Sequence, residues 1–129
     1  MTKKILLIDD ELDITFTIKD ILEDNGFQVD SFNDPILALN YYKVSFYDLV
    51  ILDIKMPKMD GFELYTKIRE KDPTVKICFF TATAMFTEEI KKALLALGKT
   101  INEDYFIQKP IRIEVLIKKI TLIMNKNKE

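Results

Sequence analysis

The chain has no histidine, one cysteine, three glycines and four prolines among its 129 residues. Without histidine there is no imidazole to act as base, nucleophile or metal ligand near neutral pH. With Cys78 as the single thiol, an intrachain disulfide and zinc sites of the nitrogen-and-sulfur kind are both excluded. A metal bound here must be held by oxygen. Cys78 sits inside the apolar run Lys76-Ile-Cys-Phe-Phe80 and reads as a small buried hydrophobe. One free thiol suits a reducing compartment, and a cytoplasmic location is expected. No apolar stretch approaches the roughly 18 to 20 residues of a membrane-spanning helix, so no membrane contact is expected. The opening Met-Thr-Lys-Lys-Ile-Leu-Leu-Ile-Asp-Asp is not read as a secretion signal, because its apolar run is short and acids follow at once. Positive charge is not in surplus either: 19 Lys and Arg against 21 Asp and Glu leave a net −2. That argues against nucleic-acid binding, and Lys118, Lys119, Lys126 and Lys128 read as a solvated helix face and tail.

What is present is enough for one domain. Apolar residues make up 48% and charged residues 31%, material for a core and a well-solvated surface. Short apolar runs alternate with helical spacing. Lys4–Ile8, Phe27–Phe32, Leu49–Leu52, Val75–Phe80 and Tyr105–Ile107 are predicted strands. Helices are predicted between them: one through Ile14, Ile18 and Leu22, ended by Asn25-Gly26, and one opened by Asn33-Asp34-Pro35 and running to about Lys43. A third passes through Leu64 and Ile68, a fourth runs from Thr87 to Gly98, and a fifth passes through Ile113, Leu116, Ile120 and Met124. Continuous Ile, Leu and Val runs indicate strands covered on both faces, hence an α/β fold with a doubly wound parallel sheet. The folded unit is expected over residues 1–125, with 126–129 a frayed tail.

In an open parallel sheet, ligands bind beyond the carboxyl ends of the strands. The residues there are Asp9, Asp10 and Glu11 after the first strand, Asp53 after the third, Thr81 after the fourth and Lys109 after the fifth. The second strand ends in Ser31 and Phe32 and offers nothing comparable. Each has a plainer explanation alone: Asp9-Asp10 as a helix cap, Asp53 as a loop residue. Together, at consecutive strand ends, they form a site. Carboxylates about 4 Å apart repel by about 4 kcal/mol at an effective dielectric of 20, so the cluster needs cations. Lys109 supplies one positive charge. A hard divalent ion, Mg²⁺ or alternatively Mn²⁺, would supply the rest. A lysine, a hydroxyl and a metal beside a carboxylate are the parts of a phosphoryl-transfer site with Asp53 as nucleophile.

At this point the sequence resembles the receiver domains of response regulators, the chemotaxis-regulator-like family of two-component signalling. The likeness runs from about Lys3 to Met124. It is carried by Ile5-Leu-Leu-Ile-Asp-Asp-Glu11, by Tyr47-Asp-Leu-Val-Ile-Leu-Asp-Ile-Lys-Met-Pro-Lys-Met-Asp-Gly-Phe-Glu-Leu64, by Phe80-Thr-Ala82 and by Lys109-Pro110. It implies a flavodoxin-like five-stranded sheet of order 2-1-3-4-5 with five helices. It also implies roles. Asp53 would accept the phosphoryl group; Asp9, Asp10, Asp53 and the backbone carbonyl of Lys55 would bind Mg²⁺; Thr81 and Lys109 would hold phosphoryl oxygens. Thr81 and Phe106 would form the switch, and Lys55 and Thr83 would tune the lifetime of the phosphorylated state.

The implied partners are a histidine kinase or phosphotransfer protein and a downstream protein target or an output domain. The implied state is a monomer or a phosphorylation-dependent dimer. The domain would be no enzyme beyond its own phosphorylation and dephosphorylation. Output would pass through the face made by the fourth helix, fifth strand and fifth helix, where Lys91, Lys92, Lys99 and Tyr105 are candidate contacts. Three positions depart from the family pattern: a longer Gly98–Lys109 segment, Phe106 where tyrosine is commoner, and Ile111 where phenylalanine is frequent. Two other readings of the same architecture are a pseudo-receiver, acting as a phosphorylation-independent interaction module, and a flavin binder. The acids of the first loop oppose a flavin phosphate.

Overall fold

The structure is a computed structural model describing residues 2–81, 92, 95–96, 106–109 and 112–125. Its five strands are β1 (Lys4–Ile8), β2 (Gln28–Phe32), β3 (Leu49–Leu52), β4 (Lys76–Thr81) and β5 (Phe106–Gln108). Three helices follow the first three strands: α1 (Leu12–Asp24), α2 (Pro35–Asn40) and α3 (Gly61–Lys71). A C-terminal helix spans Ile113–Asn125. All strands are parallel, in the order β2-β1-β3-β4-β5. The expected doubly wound order is therefore present. Most of the predicted fourth helix lies outside the described residues; Lys92, Leu95 and Ala96 within it are helical and exposed.

The apolar runs are continuous because each strand feeds two cores. Leu6 and Ile8, Val50 and Leu52, and Ile77 and Phe79 point to one face, where Ala38 of α2 and Leu64, Tyr65 and Ile68 of α3 cover them. Ile5 and Leu7, Leu49 and Ile51, and Cys78 and Phe80 point to the other. Ile18 and Leu22 of α1 and Leu116, Ile120 and Ile123 of the C-terminal helix close that side. A buried leucine or isoleucine contributes roughly 1.5–3 kcal/mol, so the two layers supply most of the driving force. Cys78 is buried within the second layer, as expected, and burial pushes its thiol up, which leaves it inert.

Local chemistry sets the helix ends. Asp34 caps α2, its carboxylate accepting from the Ile36 N–H at 2.8 Å with Pro35 at the first position. Asp60 caps α3 in the same way, accepting from Glu63 N–H at 2.9 Å. The helix α2 stops at Asn40, short of the Lys43 expected from spacing. Tertiary contacts end it: Tyr42 leaves the helix to donate to the buried Asp72 carboxylate at 3.0 Å and to pack on Tyr47 at 5.4 Å. Ser45 then turns the chain with a left-handed φ of 61° and donates its N–H to the same carboxylate.

Candidate functional site

The register explains why the strand-end residues meet. Ile8 of β1 lies level with Phe32 of β2 and Leu52 of β3, and Leu52 lies level with Phe79 of β4. The next residue along each of the first three strands is therefore Asp9, Asn33 or Asp53. All three open onto one crevice at the carboxyl edge of the sheet, and β5 delivers Lys109 beside them.

Carboxylate oxygens of Asp9, Asp10 and Asp53 lie within 4.8 Å of one another. Asp9 is buried, and every polar atom of it is engaged. Its N–H donates to the Phe32 carbonyl at 3.2 Å, and its carbonyl accepts from Asn33 Nδ2 at 2.8 Å. Oδ1 accepts from the Glu11 N–H at 3.0 Å, and Oδ2 from Lys109 Nζ at 2.5 Å. Neither Asp9 nor Asp10 is the N-cap of α1; that position is Glu11, with no side-chain cap. The plainer reading of the pair as a helix cap therefore does not hold. Asp10 is only partly buried and has no hydrogen bond or ion pair among the described residues.

Asp53 stands just beyond the central strand, 6% exposed. Its N–H donates to the Ile8 carbonyl at 3.0 Å, and its Oδ1 accepts from the Ile54 N–H at 2.8 Å. Lys109 Nζ is 3.5 Å from its Oδ2 and 3.7 Å from Glu11 Oε1. Burial, and then the Asp9 charge, push the Asp53 carboxyl up to about 6, with Lys109 and the Ile54 N–H only partly opposing them. Lys109 is also buried. Burial alone would lower its affinity for a proton, but Asp9, Asp53 and Glu11 outweigh burial and raise it, so the lysine stays charged. One cation thus serves three clustered acids.

The remaining predicted residues divide into those the structure describes and those it does not. Lys55 is exposed, and its carbonyl carries no hydrogen bond within the described residues. Thr81 ends β4, its backbone level with Gln108 of β5. The Thr81 side chain and all of Thr83 lie outside the described residues, as do Lys91, Lys99, Tyr105 and Ile111. Phe106 is half-buried, stacked on the fully buried Phe79 with ring centroids 5.1 Å apart.

Two residues not singled out from sequence also shape the site. Asn33, read only as part of a helix start, bridges to the Asp9 carbonyl and to Thr15 Oγ1. Its place one residue beyond β2 was the available signal. Gly61, named from sequence only within a family motif, begins α3 against the backbone of Asp53. A Cβ there would overlap the Asp53 carbonyl oxygen and lie 2.8 Å from Ile54 Cα. The Gly61 N–H also donates to the Ile54 carbonyl at 2.7 Å, so the start of α3 and the Asp53 loop are locked together.

Comparison with known proteins agrees with this geometry. The family model described as the response regulator receiver domain matches residues 5–121. The chain belongs to that family. The transcriptional regulatory protein DltR of Streptococcus agalactiae is 31% identical over 119 residues, covering 92% of this chain and 50% of that protein. This receiver domain spans about half the length of such curated relatives. The non-phosphorylated HemR receiver domain of Leptospira biflexa is 26% identical and superposes with a TM-score of 0.84, over 99% of this chain and 98% of that one. In a CheX–CheY–BeF3–Mg complex from Borrelia burgdorferi the similar chain is 27% identical, with a TM-score of 0.76 over 96% of this chain and 90% of that one. Among the described residues, no helix is long and apolar enough to cross a membrane.

Proposed function

We propose that residues 1–125 act as a phosphorylation-dependent switch that takes a phosphoryl group onto Asp53 from the phosphohistidine of a histidine kinase or phosphotransfer protein. One observation carries the reading. The Asp53 carboxylate is buried at the base of the crevice, 3.5 Å from Lys109 and within the carboxylate cluster of Asp9 and Asp10.

The donor set fits a hard divalent cation. Three carboxylate oxygens lie within 4.8 Å of one another with one lysine beside them, and among the described residues the cluster includes neither sulfur nor imidazole. Asp9, Asp10, Asp53 and the Lys55 carbonyl, which has no partner among the described residues, would hold Mg²⁺, with Mn²⁺ an alternative. When bound, the ion neutralises charge on the transferring oxygens. The Borrelia complex, which holds Mg and BeF3 together, supports the same pairing here.

The chain's own groups do the rest. The Ile54 N–H holds Asp53 Oδ1, which fixes the plane of the carboxylate and aims it into the crevice. As the new P–O bond to Asp53 forms, the P–N bond to the donor imidazole breaks. Lys109 offsets charge on the phosphoryl oxygens, and Thr81 donates a hydrogen bond to one of them. Hydrolysis by an in-line water reverses the state slowly, with Lys55 and Thr83 setting its access. Inward movement of Thr81 and repositioning of Phe106 would alter the face formed by the predicted fourth helix, β5 and the C-terminal helix. A downstream protein, or an output domain of the kind a longer relative carries, would read that face. A pseudo-receiver is disfavoured because each required acidic, hydroxyl and lysine position is filled.

Intact mass after incubation with acetyl phosphate and Mg²⁺ tests the proposal. One phosphoryl adduct is expected on the native chain and none on Asp53→Asn. No adduct on the native chain, or an equal adduct on the variant, would refute it.

A further inference from the structure

We infer that Asn33, seated on Thr15, is a positioning residue that sets the affinity of the acidic cluster for its divalent ion. The inference rests on the function proposed above and adds a residue to it.

The hydrogen bonds leave little freedom in how the group is oriented. Asn33 Nδ2 makes two contacts, one to the Asp9 carbonyl at 2.8 Å and one to Thr15 Oγ1 at 2.8 Å. The Thr15 hydroxyl donates to the Leu12 carbonyl at 2.9 Å, so it accepts from Asn33. Both N–H bonds of the amide therefore have acceptors. A flipped amide would set its oxygen against the Asp9 carbonyl oxygen, which is repulsive. Thr15 is buried in the first turns of α1, so the acceptor that seats Asn33 is itself fixed.

The consequence falls on Asp10. The Asp9 side chain is already held at both oxygens, by the Glu11 N–H and by Lys109. Asp10 has no such partner among the described residues, and its direction depends on the peptide plane that joins it to Asp9. Asn33 grips the carbonyl of that plane, while the Asp9 N–H is tied to the Phe32 carbonyl. The end of β2 therefore holds Asp9 on both sides, its N–H in the preceding peptide and its carbonyl in the Asp9–Asp10 peptide, and the Asn33 contact is the one that orients the plane leading to Asp10. With the plane fixed, the Asp10 carboxylate stays turned toward Asp53 despite their mutual repulsion. Groups that orient metal ligands from behind commonly change affinity by about 10- to 100-fold when removed. Asn33 is solvent-exposed and acts through the backbone, which places its effect near the lower end.

Calorimetric titration of the folded chain with Mg²⁺, beside urea unfolding in chelator, separates positioning from stability. Asn33→Ala should raise the Mg²⁺ dissociation constant about tenfold. Its metal-free unfolding midpoint should stay close to that of the native chain, because the side chain is exposed. Thr15→Val should weaken binding several-fold and Thr15→Ser should restore it. The double variant Asn33→Ala/Thr15→Val should be no weaker than Asn33→Ala by more than about twofold, since one group acts through the other. If Asn33→Ala binds within twofold of the native chain, the clamp is refuted and the switch stands. Failure of Thr15→Ser to recover what Thr15→Val loses also refutes it. A native chain that takes up neither Mg²⁺ nor a phosphoryl group overturns both the clamp and the function beneath it.

Discussion

Replacing Asp53 by asparagine should stabilise the metal-free fold at neutral pH, although it removes a buried group that makes a good hydrogen bond. Burial and the Asp9 charge raise the Asp53 carboxyl from 3.8 to about 6. A carboxyl with a raised pKa binds its proton more tightly in the folded chain than in the unfolded one. The folded state therefore loses relative stability as pH rises from about 4 to about 6, and the loss is complete above that window. A shift of about 2 units corresponds to about 3 kcal/mol at pH 7.5. The uncharged amide of the variant avoids that cost while keeping the shape of the side chain. Chemical unfolding followed by circular dichroism in chelator should show Asp53→Asn more stable by about 2–3 kcal/mol at pH 7.5. The advantage should shrink to under about 1 kcal/mol near pH 4, where the native carboxyl is protonated in the folded state and partly so in the unfolded. Saturating Mg²⁺ should narrow the gap at pH 7.5, because an ion at 100 times its dissociation constant adds about 2.7 kcal/mol to the native chain. A variant no more stable than the native chain at pH 7.5, or one whose advantage is the same at pH 4, would refute the electrostatic account.

Lys109→Met keeps the length of the side chain and removes the one cation within reach of Asp9 and Asp53 among the described residues. It should destabilise the metal-free fold at pH 7.5 by about 3 kcal/mol, the range for breaking a buried pair, and the loss should lessen at pH 4.5, where the raised Asp53 carboxyl is protonated. Urea unfolding at the two pH values checks the sign. Gly61→Ala places a methyl group against the Asp53 backbone. Since the obstacle is main chain, it should cost about 2 kcal/mol or more and slow phosphorylation by acetyl phosphate, read by intact mass over time. A variant with native stability and rate would mean that α3 can retreat without disturbing Asp53.

Much of this architecture was legible because the sheet is covered on both faces. Lys4–Ile8 and Leu49–Leu52 are strands with the bounds their apolar runs suggest, and Gly26 and Pro73 lie just past the ends of α1 and α3. Asp9, Asp10, Asp53 and Lys109 were legible for a related reason: in a parallel sheet the residue after each apolar run must face the same crevice. Less legible were effects that depend on distance across the fold. The length of α2 is decided by Tyr42 finding Asp72, a partner 30 positions away, and helical spacing carries no trace of that. The need for Gly61 comes from how closely α3 approaches Asp53, and the part played by Asn33 comes from β2 and β1 ending at the same level. Composition reveals residue types, whereas these effects arise from register and close approach.

Charge counting connects the site's instability to its proposed use. Asp9, Asp10 and Asp53 against Lys109 leave the crevice with a formal charge of −2 when all are ionised, and the raised Asp53 carboxyl is the measure of that strain. A divalent ion brings the sum to zero. On the proposed function, converting the Asp53 carboxylate to an acyl phosphate replaces one negative charge by about two, and the balance is lost again by about one charge. Among the described residues no further cation reaches the cluster, since Glu11, the next charged neighbour of Lys109, is itself acidic. On the same reading the added charge would be met by neutral hydrogen-bond donors, for which Thr81, at the end of β4 and level with Gln108 of β5, is the proposed one. On that reading, recruiting Thr81 would move it relative to Phe79 and Phe106, whose stacked rings join β4 to β5. On the proposed function a switch would follow from this imbalance: the ion would settle the site, phosphorylation would unsettle it by about one charge, and the remedy would lie on the strands β4 and β5.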